Sequence, residues 1–240
     1  EYARSAKTKL TVLRVTPRTP AIANPFPVPP LRVRGTGQTE MDLMKKVDQI
    51  REGIIAAHPG MHAVDIQSRP VGYEGYDYIQ RGINPGADSR DNLFLAAGLL
   101  PEFDLTSWVT LADGEFLVVY GVNHVATGKA SYASFNIYAS EFAKLSVGQV
   151  FHDQFANTAA PYLASGDPAV SQLYAYKASR NCGDEPNCVT LRVDACPRLT
   201  INDDTALGLF FRMYLERATK VGPAMQEIVY DRVIKFSPRP

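Results

Sequence analysis

Apolar and polar residues alternate with a period of two over much of residues 60–236. The alternation is clearest over 131–138, which contains Ala133, Phe135 and Ile137, and it returns over 207–215. A period of two is typical of β-strands with one buried face. Clusters of Gly, Pro, Asn and Asp separate further strands, which are expected near 62–67, 92–97, 107–111, 115–122, 171–179, 188–194 and 227–236. The pattern therefore predicts more strand than helix.

One helix is predicted before these strands, over about 40–57. The apolar residues of this stretch recur at helical spacing: Leu43, Val47, Ile50 and Ile54. Thr39, with Asp42 three residues later, approximates a capping box at its start. The helix is expected to end at the helix-breaking residues 58–60.

The strand pattern is interrupted over 141–162, where Phe151 and Phe155 lie one helical turn apart, so one or two short helices are expected there. Many short strands, few helices and no regular βαβ order favour an α+β fold dominated by β-structure. We predict an antiparallel β-sandwich or partly open barrel with one N-terminal amphipathic helix and short helical insertions. Residues 39–240 are expected to form it as a single domain.

Residues 1–38 have the composition of an extended arm. They contain six of the 17 prolines, which remove backbone donors and favour extended chain, with a strand over 9–15 at most. The arm also holds seven basic residues against the single acid Glu1: Arg4, Lys7, Lys9, Arg14, Arg18, Arg32 and Arg34.

The charge of the arm predicts that it binds an acidic surface. The whole chain has 25 basic and 25 acidic residues, so seven basic residues against one acid in the arm leave residues 39–240 with a net charge of about −6. The arm is expected either to lie across the body of its own chain or to dock on a neighbouring subunit or another protein. Contact with RNA is a remote third interpretation.

Charge and hydropathy also exclude two classes of partner. A net charge of zero supplies no global field to attract nucleic acid or anionic lipid. The longest apolar runs, such as 116–121, are far shorter than the ~20 residues that cross a bilayer, so no transmembrane segment is expected. Because residue 1 is Glu and no apolar signal core follows it, the chain is interpreted as processed or cut from a longer precursor.

The three cysteines, Cys182, Cys188 and Cys196, fall within fifteen residues. Turn-forming residues between the first two would bring their flanks together, so a Cys182–Cys188 disulfide is predicted. A strand after Cys188 would hold it ~20 Å from Cys196, against a ceiling of ~7 Å for a disulfide. A zinc site is the competing interpretation. A disulfide implies a secreted, periplasmic or organelle-lumen location, with Cys196 either buried or joined to another chain.

The polar stretch 119–132 lies between two apolar strands and is the best candidate for a site, because rigid strands commonly support functional loops. His124 could exchange protons near neutrality, Lys129 could hold an anion, and Asn123, Thr127 and Tyr132 could donate hydrogen bonds. In the alternative interpretation, Asn123 shapes a turn with Gly128 while His124 satisfies backbone groups at the end of a strand.

A second polar cluster, residues 88–92, also leads into a strand. Arg90 and Asp91 either pair with each other or cap a turn, or join His124 in a shared cleft. On the second interpretation the candidate catalytic residues are His124 and Asp91. The candidate ligand-binding residues are then Arg90, Asn123, Lys129 and Tyr132.

Weaker patterns predict no cofactor and no metal. Gly35-Thr36-Gly37 faintly resembles a dinucleotide-binding turn, but Glu40 takes the third glycine position, so a hinge between arm and helix is expected. His58 and His62 are separated by Pro59-Gly60 and are interpreted as solvated loop residues rather than zinc ligands.

The sequence thus supports two hypotheses about function. The first is an exported or lumenal β-rich interaction or structural protein without a catalytic signature, whose arm contacts a partner or a neighbouring subunit. The second is a small-molecule lyase, isomerase or hydrolase that uses His124 as acid or base in a cleft with Arg90, Asp91 and Lys129.

Overall fold

A computed structural model describes residues 13–19, 32–71, 82, 89–98, 109–139, 145–192 and 201–239. The chain divides into two compact units, Glu1–Leu31 and Arg32–Pro240. In the first unit, residues 13–19 are exposed and form neither helix nor strand. The predicted division between arm and body at residue 38 stays a prediction. All that follows on the fold concerns the second unit.

The described residues of this unit form one nine-stranded sheet in the order β5-β4-β8-β2-β1-β9-β3-β6-β7. The strands are β1 (Met61–Pro70), β2 (Asn92–Ala97), β3 (Phe116–Val122), β4 (Tyr132–Ala139), β5 (Leu145–Phe151), β6 (Leu173–Ser179), β7 (Cys188–Thr190), β8 (Leu207–Tyr214) and β9 (Arg232–Pro238). The two end strands approach each other, because the Arg192 amide just after β7 donates to Val147 O of β5 at 2.8 Å. The sheet is therefore nearly closed and barrel-like, and the predicted β-dominated class is confirmed.

Two of the sequence predictions need correction here. The stretch 141–162 contains the strand β5 as well as short 3₁₀ turns at 152–154 and 160–162. The strand predicted over 107–111 is, in the described residues, a single bridge between Val109 and Leu207. In addition, β7 runs parallel to β6, an exception to the otherwise antiparallel pairing of the described strands.

Apolar cores lie on both faces of the sheet around β3. Leu117 and Val119 point into the barrel, whereas Val118 and Tyr120 point outward beneath the N-terminal helix. The continuous apolar sequence of β3 therefore reflects burial on both faces. The inner core also contains large side chains of β4 and β8: Phe135, Ile137, Leu209, Phe211 and Met213.

The predicted helix is present as a 3₁₀ turn (Met41–Leu43) that leads into helix α1 (Met44–Ala56). Its apolar face, formed by Val47, Ile50 and Ile54, is fully buried on the sheet. The predicted capping box is not formed, since Thr39 Oγ1 accepts only from the Met41 amide, at 3.4 Å. No helix in the described part of the chain is both long and apolar enough to span a bilayer.

His58 lies two residues after the end of α1 and is not a solvated loop residue. Its Nδ1 lies 2.9 Å from Ile54 O, and its ring packs against Phe116 and Phe236. His62, by contrast, is exposed on β1. His58 therefore closes the last helical turn and contributes to the outer core.

The disulfide predicted between Cys182 and Cys188 is present, with the two Cα atoms 5.8 Å apart. It closes the turn that connects β6 to β7. Cys196 lies outside the described residues. Because disulfides persist in oxidising compartments, the bonded pair is compatible with such a location.

The packing of α1 predicts that Gly53→Ala destabilises the protein. Alanine within a helix is normally favoured over glycine by about 1 kcal/mol. Here a Cβ at Gly53 would lie 2.7 Å from Tyr162 O and 3.0 Å from Tyr162 Cα, so the helix would have to move away from the 160–162 turn. We expect the free energy of unfolding, measured by urea denaturation, to fall by about 1–3 kcal/mol.

The matched control is Glu52→Ala at the neighbouring exposed helix position, which is expected to change stability by less than about 0.5 kcal/mol. A Gly53→Ala variant as stable as wild type or more stable would contradict this close packing of the helix.

Candidate functional site

The loop between β3 and β4 presents its two basic side chains to the interior. Asn123 shapes the loop, since its Oδ1 accepts from the amides of Val125 and Ala126 at 3.2 and 3.4 Å. The Ala130 amide donates to His124 O at 2.9 Å and closes the loop. This geometry turns the side chains of His124 and Lys129 inward, where they are 2% and 3% exposed.

His124 lies between two buried carboxylates. Its Nδ1 is 2.9 Å from Glu40 Oε2, and its Nε2 is 3.4 Å from Asp231 Oδ2. The Thr127 hydroxyl donates to Glu40, and the Tyr174 hydroxyl donates to Asp231 Oδ1 at 2.6 Å. We call these five residues the His124 cluster.

His124 is positively charged in this cluster at neutral pH. Burial alone would lower its pKa, but the charges of Glu40 and Asp231 and their hydrogen bonds raise the pKa of the imidazole to about 10. Burial opposes ionisation of Glu40 as well, yet the charge of His124 and the hydrogen bonds from His124, Thr127 and the Val229 amide hold the pKa of Glu40 below its usual value. Both ring nitrogens therefore donate, one to each carboxylate.

Lys129 forms a second cluster of the same kind. Its Nζ lies 2.8 Å from Glu216 Oε1 and 2.6 Å from Glu227 Oε2, and it donates to Thr36 Oγ1 at 3.0 Å. Burial would lower the pKa of Lys129, but hydrogen bonds and charge from the two glutamates raise it. These four residues form the Lys129 cluster, in which one cation is again shared by two acids.

The Gly35-Thr36-Gly37 turn binds one of these acids. The Thr36 and Gly37 amides donate to Glu227 Oε1 at 2.9 and 2.7 Å, and both glycines adopt positive φ, +92° and +80°. Successive amides of this kind form an anion-binding nest. Burial would raise the pKa of Glu227, but Lys129 and the two amides lower it to about 2. The turn is thus an anion site occupied by the protein's own carboxylate, rather than a hinge.

The remaining predicted site residues lie outside the two clusters. Arg90 Nη2 donates to Arg32 O, and Arg90 O accepts from the Gly222 amide at 2.7 Å. The side chain of Asp91 is exposed, although its carbonyl accepts from the Leu215 amide at 2.8 Å, next to Glu216 of the Lys129 cluster.

Tyr132 is half-buried and packs edge-on against the ring of Tyr214, with centroids 5.7 Å apart. The structure therefore brings His124 and Lys129 into linked networks. Asp91 and Tyr132 are not members of either network. The catalytic and ligand-binding roles of all these residues stay predictions.

Room beside His124 is small. The void that it borders has a volume of about 10 Å³, enough for about one water molecule, and is closed by Phe155, Phe211 and Met213. Neither Arg90 nor Asp91 lines this void. This void is too small to hold an organic substrate.

The acidic partners were missed by the reasoning from sequence. Glu227 and Asp231 flank the apolar residues 228–230, and an acid in such a setting is a signal of a buried, paired carboxylate. Glu40 was considered only as the residue at the third glycine position after the Gly35-Thr36-Gly37 turn. The signal for burial was present, but it carried no information on which basic residue each acid would meet.

In the described part of the chain, no group of three or more His, Cys, Asp or Glu side chains is arranged to hold a metal ion. Neither a protein-family model, nor a curated protein, nor a solved structure matches this chain.

The His124 cluster predicts that stability falls as pH rises above neutrality. The imidazole pKa is about 6.5 in the unfolded chain and about 10 in the folded protein, so the folded state binds more protons between these values. The stabilisation is complete below pH 6.5, decreases by about 1.4 kcal/mol per pH unit above it, and is lost above pH 10. Urea denaturation across this range measures it.

The control for this experiment is His62→Gln, which removes an exposed histidine and should leave the slope unchanged. A wild-type free energy of unfolding that is constant between pH 7 and pH 9 would contradict a buried imidazolium.

At acid pH, the stability depends on Glu227 instead. Its contribution to the free energy of unfolding is present above its ordinary pKa and is lost as the pH falls towards about 2.

The Lys129 cluster predicts a large cost for Lys129→Met. The substitution leaves Glu216 and Glu227 buried without their cation, which costs about 3–5 kcal/mol for a buried pair that loses one partner. Adding Glu227→Gln should recover part of the loss, because one of the uncompensated charges is then removed. Chemical denaturation of both variants gives the two free energies.

Lys177→Met is the matched control, because the ion pair of Lys177 with Glu185 is at the surface, with Glu185 44% exposed. Its expected cost is at most about 1 kcal/mol. Equal losses for the two lysine variants would show that the Lys129 cluster contributes no more than a surface pair.

Proposed function

We propose that this chain is an exported, non-catalytic β-rich protein that binds a protein surface through its basic N-terminal arm, residues 1–38. The observation that carries the proposal is the exposure of Leu13 and Val15, which are 81% and 84% exposed in a segment without regular secondary structure. Large apolar side chains presented on such a segment, beside Arg14 and Arg18, suit a binding strand better than an independent fold.

The end of the arm is firmly attached to the body, as a binding arm requires. Arg32 Nη1 donates to Lys220 O, and Arg34 donates to Pro223 O and Ser89 O, each at 3.3 Å. The nest at residues 35–37 then holds Glu227. A partner bound to the upstream residues would therefore be held to the sheet through a fixed attachment.

The charge of the arm favours the body of a second copy as its binding surface. Residues 1–38 have a net charge of about +6, from seven basic residues and one acid, and the remainder of the neutral chain is about −6. Opposite charges of this size favour encounter and orientation between copies. A different acidic protein would satisfy the same chemistry.

The geometry around His124 supports the non-catalytic part of the proposal. A general base needs a pKa near the working pH and space for a substrate. His124 has a pKa of about 10 and borders a void of about 10 Å³. Its burial between Glu40 and Asp231 favours a structural role over the lyase, isomerase or hydrolase hypothesis.

The disulfide supports the proposed location. Cys182 and Cys188 are bonded to each other, and disulfides form and persist in secreted, periplasmic and lumenal environments. We therefore include export in the proposal.

Deletion of residues 1–31 tests the proposal, because it removes the upstream arm and keeps the contacts of Arg32 and Arg34. We expect the full chain to self-associate at low salt and to dissociate as salt screens charges beyond ~10 Å. The deletion variant should stay monomeric at all salt concentrations with an almost unchanged thermal midpoint. Sedimentation velocity measures the mass, and thermal unfolding measures the midpoint.

The control replaces the five basic residues of the upstream arm by Gln in the full-length chain: Arg4, Lys7, Lys9, Arg14 and Arg18. It should remain monomeric at low salt, like the deletion variant. A deletion variant that associates as strongly as the full chain would contradict the role of the arm. A deletion variant that fails to fold would show that the arm is an integral part of the sheet.

A further inference from the structure

A cleft of about 630 Å³ lies between α1, β1 and the 225–231 segment. Volumes of roughly 300–1,000 Å³ are typical of sites for small molecules. Among the described residues, the lining of the cleft shares only Asp231 with the small void beside His124. A ligand site in this cleft does not rest on the proposed function of the arm.

The floor of the cleft contains a buried hydroxyl whose proton has no acceptor. Tyr120 is fully buried, and its hydroxyl interacts with the Arg232 guanidinium, itself a donor, but donates to no acceptor among the described residues. Buried hydroxyls are normally paired, because an unpaired one loses its hydration without compensation. The Tyr120 hydroxyl is therefore a donor that a bound molecule could satisfy.

Tyr120 lines the cleft together with the charged residues Arg51, Asp65 and Arg232. Burial raises the pKa of Tyr120 to about 12, although the charges of Arg232 and Arg51 and a hydrogen bond with Arg232 lower it, and the charge of Asp65 raises it further. The phenol is thus neutral at physiological pH and retains its proton for donation.

Arg232 lies beside the hydroxyl, and its two other side-chain contacts are weak. Its Nη1 pairs with Asp48 at 2.6 Å, and Asp48 is 54% exposed, so water screens the pair. Its Nη2 lies 3.0 Å from the Met44 sulfur, which is a poor acceptor. The planar guanidinium can therefore turn to bind a carboxylate, for which its geometry is well suited.

The walls of the cleft complement an apolar body. Seven apolar residues line it: Met41, Met44, Ile66, Met225, Ile228, Val229 and Val233. Methionine side chains are flexible and polarisable, so the three methionines can adapt to a chain of variable shape. An oxygen-bearing anion at the floor and a hydrocarbon along the walls would satisfy both parts of the cleft.

We propose that the cleft binds an amphipathic monocarboxylate, with its carboxylate between Tyr120 and Arg232 and its hydrocarbon chain against the methionine-rich walls. The Tyr120 O–H and the Arg232 guanidinium both donate to the carboxylate, and no covalent step is involved.

Isothermal titration calorimetry of the full chain with four probes tests the proposal. Octanoate should bind with one-to-one stoichiometry, and octanol, which has the same chain without the charge, should bind about tenfold more weakly. Octylammonium and acetate should not bind measurably, since one has the wrong charge and the other lacks the chain. Equal affinities for octanoate and octanol, or no binding of octanoate, would overturn the proposal.

Tyr120→Phe separates a binding role from a structural role. The variant should lower the affinity for octanoate about tenfold and leave the affinity for octanol unchanged. Its thermal midpoint should stay the same or rise, because a buried hydroxyl without an acceptor is removed. Tyr176→Phe is the matched control, because Tyr176 packs against the inner core and does not line the cleft, and it should leave the octanoate affinity unchanged. Unchanged octanoate affinity in Tyr120→Phe would overturn the assignment of the hydroxyl.

Arg232→Gln tests the second proposed donor to the carboxylate. It should lower the affinity for octanoate about tenfold and bring it close to the affinity for octanol. If Arg232→Gln keeps the preference for octanoate over octanol, the guanidinium is not the carboxylate partner and the proposed head-group position is wrong.

Discussion

The fold of the second unit depends on two buried cations that project from one loop, each shared by two carboxylates. His124 joins Glu40 to Asp231, and Lys129 joins Glu216 to Glu227. Burying charges is costly unless every charge is paired and hydrogen-bonded, and hydroxyls and amides complete both clusters. Through Thr36 and Glu40, these contacts attach the start of the helical segment to the residues that follow β8 and precede β9.

The clusters also explain features that would otherwise look unrelated. Glu40 directs its carboxylate to His124, and it occupies the position just before the 3₁₀ turn where a capping side chain would stand. The 225–231 segment is held at one end by Glu227 and at the other by Asp231. Because the helical segment begins just after Glu40, the same contacts hold both walls of the 630 Å³ cleft in place.

The sequence predicted elements well wherever one rule of periodicity held. The strand at 92–97 was located to the residue, and the helix over 40–57 corresponds to residues 41–56. The strand β5 was missed because the prediction over 141–162 rested on the helical spacing of Phe151 and Phe155. In addition, a register shift between Ile137 and Tyr138 places both Val147 and Val150 in the inner core, so β5 lacks a strict period of two.

The site was predicted only in part, for a different reason. His124 and Lys129 stood out as polar residues between apolar strands, but their acids Glu40 and Glu227 are 84 and 98 residues away along the chain. The protonation of His124 is the central claim, and ¹⁵N NMR of its ring measures it directly. We predict that both ring nitrogens still carry protons at pH 8, with a midpoint of about 10. A single protonated nitrogen at pH 8, with a midpoint near the ordinary value of about 6.5, would contradict the account.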